Sequence, residues 1–193
     1  MSRIIAGSRG GRRLTMPSGD RTRPTTDRVR EALFSALAAW AGSSSAAPEV
    51  TLDGLSFCDL YAGSGAVGLE AASRGAAPVL LVEGDRRTAQ VTRRNADELG
   101  LTVEIRALRV ETVLAQRATH SYDIVFADPP YELAADTLDG LLGPAWPHGW
   151  VAEHGLMVVE RSRRTPPPSW PAAVTDTWSR TYGETIVYFG GTS

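Results

Sequence analysis

The sequence is poor in cysteine and histidine, has no lysine and contains no long apolar run. Because Cys58 is the only cysteine, an intrachain disulfide is excluded. The histidines, His120, His148 and His154, lack the spacing of metal ligands, so we expect no metal. No apolar stretch approaches the roughly 20 residues of a membrane span, and the first ten residues lack the apolar stretch of a signal peptide. We therefore expect a cytoplasmic protein with no membrane partner.

The 20 basic and 22 acidic side chains are unevenly distributed along the 193 residues. Residues 1–30 contain eight arginines and two aspartates, a net charge of +6, and the total of −2 leaves −8 for the remainder. A basic segment before an acidic body is typical of nucleic-acid binding, although a solvated charged face is the simpler alternative. The arginines that we predict to contact nucleic acid are Arg3, Arg9, Arg12, Arg13, Arg21, Arg28 and Arg30.

The N-terminal region is predicted to form a small basic unit. Residues 3–6 and 12–16 are short extended candidates joined by a glycine-containing turn, and apolar residues recur at helical spacing over 27–41 after a capping threonine. The following stretch has linker composition. We therefore predict a basic hairpin and helix over 1–42, a linker over 43–54 and a main domain over 55–193.

Strand-like and helical segments alternate in the main domain, which predicts a parallel sheet with helices on both faces. A turn at Gly183 between two late strands predicts a closing antiparallel hairpin. We therefore expect an α/β doubly wound sheet of seven strands. The predicted strands are 56–61, 78–82, 102–106, 122–127, 155–160, 175–182 and 185–190, and the predicted helices are 66–74, 86–98, 110–117 and 133–143.

Three glycines follow the first strand of the main domain. In Asp-Leu-Tyr-Ala-Gly-Ser-Gly-Ala-Val-Gly, residues 59–68, Gly63, Gly65 and Gly68 have the spacing of a dinucleotide-binding turn. Glu83 ends the second strand, where a carboxylate can accept hydrogen bonds from ribose hydroxyls. The pattern indicates a nucleoside-containing cofactor but does not distinguish a nicotinamide dinucleotide from S-adenosylmethionine.

A second motif, Asp-Pro-Pro-Tyr at residues 128–131, favours S-adenosylmethionine. An exocyclic base amine is a poor nucleophile because its lone pair is delocalised into the ring. The Asp128 carboxylate and the Pro129 carbonyl can accept the two amine hydrogens and localise that lone pair. Pro130 stiffens the loop, and Tyr131 can stack on the base. We therefore predict that residues 128–131 form the catalytic loop.

These motifs resemble those of amino-methyltransferases: residues 61–68 are similar to their motif I and residues 128–131 to their motif IV. Residues 23–31, Arg-Pro-Thr-Thr-Asp-Arg-Val-Arg-Glu, followed by Ala-Leu-Phe, resemble the narrower signature of the bacterial 16S rRNA guanine-N2-methyltransferase (RsmD) family. The resemblance extends from Arg3 to about Gly190, nearly the whole chain.

The resemblance implies a Rossmann-like class I methyltransferase that transfers a methyl group from S-adenosylmethionine to the N2 amine of a guanine, at position 966 of 16S rRNA in the small ribosomal subunit. It implies that Glu83 contacts the ribose, that the catalytic loop contains the flipped base, and that Arg23 and Thr26 lie near the methionine end of the cofactor. We expect a monomer. The implied lining of the cofactor pocket is Asp59, Tyr61, Ala62, Gly63, Ser64 and Gly65.

One position departs from the expected pattern. Many such enzymes carry an acidic or amide residue after the third strand that contacts the adenine amine, whereas this chain has Arg109 and Val110 there. We expect their backbone groups to replace that contact.

Three other functions stay open on the sequence alone. A DNA adenine N6-methyltransferase shares both motifs, but 193 residues leave no inserted region that could read a duplex sequence. A nicotinamide oxidoreductase explains the glycines and Glu83 but gives residues 128–131 no role. A non-catalytic rRNA-binding assembly factor is disfavoured by the intact Asp128 and the intact glycines.

Overall fold

The computed structural model describes residues 2–17, 26–130 and 133–192. Near the N-terminus, strands β1 (Ser2–Arg3) and β2 (Arg13–Leu14) pair antiparallel, and helix α1 (Asp27–Trp40) follows. Strand β1 is shorter than predicted because the amides of Ile5 and Ala6 donate to the Glu70 carboxylate, at 2.6 and 2.9 Å, rather than to a partner strand. Strand β2 is shorter because the backbone of Thr15 bonds to the Asn95 side chain instead. A 3-10 turn covers Pro48–Val50.

A seven-stranded sheet forms the centre of the fold. Its parallel strands are β3 (Phe57–Leu60), β4 (Val79–Val82), β5 (Glu104–Arg106), β6 (Tyr122–Ala127) and β7 (Val151–Ser162). Strands β8 (Asp176–Tyr182) and β9 (Thr185–Gly191) form the closing hairpin, with β9 antiparallel to β7. The spatial order is β5-β4-β3-β6-β7-β9-β8, which confirms the predicted α/β sheet and its antiparallel end.

Helices cover both faces of the sheet. Apolar residues of α1, α2 (Ala66–Ser73) and α3 (Arg86–Leu99) pack on one face, where Ile124 and Phe126 of β6 also point. Helices α4 (Val110–Leu114) and α5 (Ala135–Leu142) pack on the other face, together with Val125. A 3-10 turn at Gly143–Ala145 follows α5. The only cysteine, Cys58 in β3, lies in the second cluster and is fully buried.

The N-terminal region shares the core of the main domain. Ile4, Leu33 and Leu52, each at most 1% exposed, belong to the same apolar cluster as Phe57 of β3, an interior strand of the sheet. The segment predicted as a linker, residues 43–54, therefore packs on the core through Leu52 as well as connecting the N-terminal region to the main domain. Sequence composition did not reveal this because Leu52 lies between the polar residues Thr51 and Asp53 in a segment without periodicity.

Strand β7 is longer than the predicted 155–160 because it also includes residues 151–154, where the polar Glu153 and His154 interrupt the apolar pattern, and the polar Arg161 and Ser162 at its end. Its pairing with β6 shifts between Tyr122 and Ile124, and His154 has a φ of +61°, so this part of the strand is irregular. Within the described residues, no helix combines the length and apolarity needed to cross a bilayer.

Candidate active site

Three neighbouring strands end together at one edge of the sheet. Leu60, the last residue of β3, is in register with Val82 of β4 and with Ala127 of β6. Since β3, β4 and β6 are parallel, the residues that directly follow these positions lie at the same carboxyl edge. The sheet thus brings together the glycine-containing loop, Glu83 and Asp128, which are far apart in sequence.

The loop after β3, residues 61–65, turns sharply towards α2. Tyr61 and Gly63 have positive φ values of 64° and 56°. A Cβ atom on Gly63 would meet no atom within 4 Å, so this side of the loop is open to a ligand. A Cβ atom on Gly65 would lie 2.7 Å from the Thr92 methyl group, so that glycine is required for close packing against α3.

Glu83 connects the loop to the end of β4. Its Oε2 atom accepts the Gly63 amide hydrogen at 2.9 Å, and its Oε1 atom accepts that of Asp85 at 2.8 Å. Burial raises the pKa of this half-buried carboxyl, while these backbone hydrogen bonds oppose the shift. A carboxylate positioned by two amides retains lone pairs that can accept hydrogen bonds from vicinal hydroxyls.

Asp59 lies beneath the loop rather than in its open side. It is 1% exposed, and its Oδ2 atom accepts the Gly68 amide hydrogen of α2 at 2.8 Å. Burial raises its pKa to about 7; the Gly68 hydrogen bond opposes the shift and the charge of Glu83 adds to it. The prediction that Asp59 lines the cofactor pocket therefore needs correction, because the side chain positions the start of α2.

The remaining loop residues are mostly covered. Ala62 and Ser64 are 8% and 6% exposed, so they present mainly backbone to a ligand. The Tyr61 hydroxyl is buried and has no hydrogen-bond partner among the described residues, and burial raises its pKa. A buried hydroxyl of this kind is satisfied when a ligand or a water supplies the missing partner.

Arg109 and Val110 follow β5 and lie beside the end of β4. A Cβ atom on Gly84 would be 3.7 Å from the Arg109 Cα atom, which places this backbone next to Glu83. Val110 is 2% exposed and begins α4, so its side chain packs inward. That the backbone of Arg109 and Val110, rather than a side chain, contacts the adenine of a cofactor stays a prediction.

The predicted catalytic loop begins directly after β6. Asp128 is half-buried, Pro129 is buried and Pro130 is exposed, whereas Tyr131 lies outside the described residues. The Pro130 carbonyl accepts the Leu133 amide hydrogen at 3.0 Å, and the Leu133 carbonyl accepts a hydrogen bond from Arg161 of β7 at 3.0 Å. Sequence reasoning missed Arg161, although a charge at the end of an apolar strand is a recognisable signal.

The predicted RNA-binding arginines differ in burial and in the contacts that they make. Arg30 is fully buried and contacts Asp27 at 3.1 Å and Glu70 at 4.0 Å, so it stabilises the fold and is not a phosphate contact. Arg9 and Arg12 donate to the Leu99 and Glu98 carbonyls at the end of α3. The exposed members of the set are Arg3, Arg12, Arg13 and Arg28, and Arg21 lies outside the described residues.

Two further residues were predicted near the cofactor. Thr26 caps α1, because its hydroxyl accepts the Val29 amide hydrogen at 3.3 Å. Arg23 lies outside the described residues. Within the described ranges, no group of three histidine, cysteine, aspartate or glutamate side chains is arranged to bind a metal ion.

Three features on a sheet of this order define an S-adenosylmethionine-dependent methyltransferase. They are the glycine-containing loop after β3, the acid Glu83 after β4 and the Asp-Pro-Pro sequence after β6. The chain belongs to the family described as Conserved hypothetical protein 95, whose sequence model matches residues 2–191. This match and the named relatives confirm the RsmD family that residues 23–31 predict.

The relatives cover nearly the whole chain. The Ribosomal RNA small subunit methyltransferase D of Escherichia coli (strain K12) is 38% identical over 173 residues, 88% of this chain and 79% of that protein. The solved structure of yhhF from Escherichia coli superimposes with a TM-score of 0.82 at 33% identity and covers 98% of this chain and 97% of that one.

A more distant solved structure shares the fold. RsmC from Thermus thermophilus, a 16S rRNA N2 G1207 methyltransferase in complex with AdoMet and guanosine, superimposes with a TM-score of 0.67 at 18% identity. The match covers 91% of this chain and 45% of that one.

Proposed function

We propose that this protein methylates the small-subunit ribosomal RNA, and that its target is the exocyclic N2 amine of a guanine, at position 966 of 16S rRNA. The observation that carries the proposal is the common edge at which Gly63, Glu83 and Asp128 follow mutually registered strands. The name of the Escherichia coli relative supports the RNA substrate, and the N2 specificity named for RsmC supports the choice of amine.

The open side of the glycine loop fits S-adenosylmethionine. The space above Gly63 would admit the cofactor close to the backbone, and Glu83 would accept hydrogen bonds from the ribose hydroxyls. Because Glu83 is already oriented by two amides, little side-chain order is lost on binding. When bound there, S-adenosylmethionine supplies an electrophilic methyl group on a sulfonium.

The catalytic loop would prepare the amine. The Asp128 carboxylate and the Pro129 carbonyl would accept its two hydrogens, which localises the nitrogen lone pair and directs it at the methyl group. The amine nitrogen would take the methyl group from bound S-adenosylmethionine, whose sulfur would keep the electron pair of the broken bond, and the Asp128 carboxylate would accept the proton that the methylated amine loses. The Arg161–Leu133 hydrogen bond would limit movement of the loop during this step.

The exposed arginines near the N-terminus would contact the RNA backbone. Arg13 and Arg28 are exposed, and Arg3 remains largely exposed while its guanidinium lies 3.4 Å from Asp27. Phosphate contacts of this kind orient an RNA without reading its sequence. The target guanine would have to leave its stack to reach the catalytic loop, at a cost of a few kcal/mol.

The decisive experiment offers three acceptors to the full-length protein and labelled S-adenosylmethionine: small subunits that lack the modification, naked 16S rRNA and duplex DNA. We expect label on the subunits, recovered as N2-methylguanine at position 966. Label on adenine in DNA would support the rival methyltransferase, and cofactor binding without transfer to any acceptor would support an assembly factor.

Asp128→Ala tests the role of the catalytic loop in the same assay. We expect the loss of nearly all methyl transfer, with cofactor affinity changed little, because the carboxylate would contact the base amine. Asp136→Ala is the matched control, since that carboxylate is exposed and accepts the amide hydrogen of the adjacent Thr137 at 2.8 Å. A large loss of cofactor binding in Asp128→Ala would contradict the assignment.

A further inference from the structure

Asn95 bridges the N-terminal segment and the glycine loop. This residue of α3 is 1% exposed. Its Oδ1 atom accepts the Thr15 amide hydrogen at 2.9 Å, and its Nδ2 atom donates to the Thr15 carbonyl at 2.9 Å and to the Ser64 carbonyl at 2.9 Å. All three interactions join Asn95 to backbone that is distant in sequence.

The chemistry of the bridge is specific to an amide. One side-chain carboxamide supplies an acceptor and two donor hydrogens in a plane, and here the acceptor and both donors are used. A carboxylate at position 95 would present lone pairs to the carbonyls of Thr15 and Ser64, and an apolar side chain would leave buried backbone groups without partners.

Helix α3 makes further contacts to both parts of the chain. Thr92, one turn before Asn95 on the same helix face, donates from Oγ1 to the Gly63 carbonyl at 2.7 Å. At the other end of the helix, Arg9 and Arg12 donate to the Leu99 and Glu98 carbonyls. Helix α3 therefore contacts the glycine loop with one turn and the basic hairpin with another.

We propose that Asn95 is a positioning residue through which the N-terminal segment sets the conformation of the glycine loop and thereby the affinity for S-adenosylmethionine. The proposal rests on the placement of the cofactor against that loop. Its consequence is a linkage: RNA that immobilises the segment around Thr15 would tighten cofactor binding, and the cofactor would tighten RNA binding by the same factor.

Thr15→Pro tests the bridge at an exposed position, and Thr15→Ala is its matched control. Proline removes the amide hydrogen donated to Asn95, whereas alanine keeps it. By calorimetric titration of the full-length protein with S-adenosylmethionine, we expect the Kd of Thr15→Pro to rise about three- to tenfold, the range for one lost hydrogen bond, and that of Thr15→Ala to stay unchanged. Equal values for a folded Thr15→Pro and the wild type overturn the proposal.

A double-mutant cycle separates positioning from general destabilisation. Asn95→Ala should also raise the Kd, and the double variant Thr15→Pro/Asn95→Ala should bind no more weakly than Asn95→Ala alone, because the amide then has no partner to lose. Additive losses would show that Thr15 acts by another route and would overturn the proposal.

In steady-state assays of Thr15→Pro, KM for S-adenosylmethionine should rise while kcat stays constant, since the bridge does not touch the catalytic loop.

Glu83→Gln distinguishes a failure of this proposal from a failure of the cofactor placement. If Glu83→Gln weakens cofactor binding but Thr15→Pro and Asn95→Ala do not, only the bridge is refuted. If none of the three variants changes the Kd, the cofactor does not bind at this loop, and both statements fall.

Discussion

Asp59 and Glu83 are two carboxylates near the glycine loop, and their different burial suits them to different roles. Glu83 is half-buried and accepts two amide hydrogens, so it can remain charged and face a ligand. Asp59 is almost completely buried and accepts one hydrogen bond, so burial raises its pKa to about 7. Glu83 is suited to recognition of a ligand and Asp59 to positioning the start of α2.

This difference makes protein stability depend on pH through Asp59. The unfolded carboxyl ionises near 3.8, whereas the folded one keeps its proton until about pH 7. The stabilising contribution is thus complete below pH 3.8 and is lost as the pH rises through 7. We expect the free energy of unfolding of the wild type to fall relative to that of Asp59→Asn by a few kcal/mol between pH 4 and 7.5.

Urea unfolding of the two proteins at several pH values measures the effect. Asparagine keeps an acceptor for the Gly68 amide, and any constant penalty of the amide cancels in the comparison across pH. Parallel pH profiles for the two proteins would mean that Asp59 titrates near its ordinary value.

At the scale of elements, the basic hairpin is joined to the sheet by α2. The Glu70 carboxylate of α2 is fully buried and accepts hydrogen bonds from the amides of Ile5 and Ala6 and from Arg74, at 2.8 Å for the last. Arg30 of α1 approaches the same carboxylate. One acid therefore stabilises the junction of the hairpin, α1 and α2.

Removal of the Glu70 charge should destabilise the protein strongly. We expect Glu70→Gln to lower the free energy of unfolding by about 3 to 5 kcal/mol, because it leaves buried guanidinium groups without full compensation. Glu184→Gln is the control: it breaks an ion pair with Arg164 whose side chains are 63% and 86% exposed, so a change below about 1 kcal/mol is expected. Similar losses in both variants would contradict the role of Glu70.

The exposed arginines of the N-terminal elements predict a salt-dependent affinity for RNA. Arg13→Gln and Arg28→Gln should each weaken binding at low salt and reduce the slope of log K against log salt by about 1, since each removes one phosphate contact. Arg180→Gln, at an exposed position of β8 in the closing hairpin, should leave the slope unchanged. Titration of fluorescent 16S rRNA fragments at several salt concentrations measures all three; an equal loss of slope for Arg180→Gln would mean that the charge effect is not localised.

Most elements follow from local patterns in the sequence, and the exceptions have physical causes. Mainly apolar runs predict β3, β4 and β6 well, because parallel strands are buried on both faces. The burial of Arg30 could not be predicted, since Glu70, its buried partner, is 40 residues away in sequence. The Asn95 bridge is equally non-local: its partners are Thr15 and Ser64, and only the folded chain brings them together.

Across the whole molecule, the glycine loop, the N-terminal segment and the sheet share one core, so ligand binding should stabilise the complete fold. At 100 times its Kd, S-adenosylmethionine is expected to add about 2.7 kcal/mol to the free energy of unfolding. A nicotinamide dinucleotide at the same concentration should add none. Thermal denaturation with each compound measures the difference, and stabilisation by the dinucleotide alone would revive the oxidoreductase hypothesis.

The buried thiol of Cys58 reports, by its reactivity, whether the sheet around it has opened. It lies in β3, an interior strand of the sheet, and burial raises its pKa, so the reactive thiolate is suppressed while the sheet is intact. Since no second cysteine competes for the reagent, alkylation of the protein requires that the sheet opens far enough to expose β3. The alkylation rate of Cys58 therefore measures how readily the core of the protein is exposed to solvent.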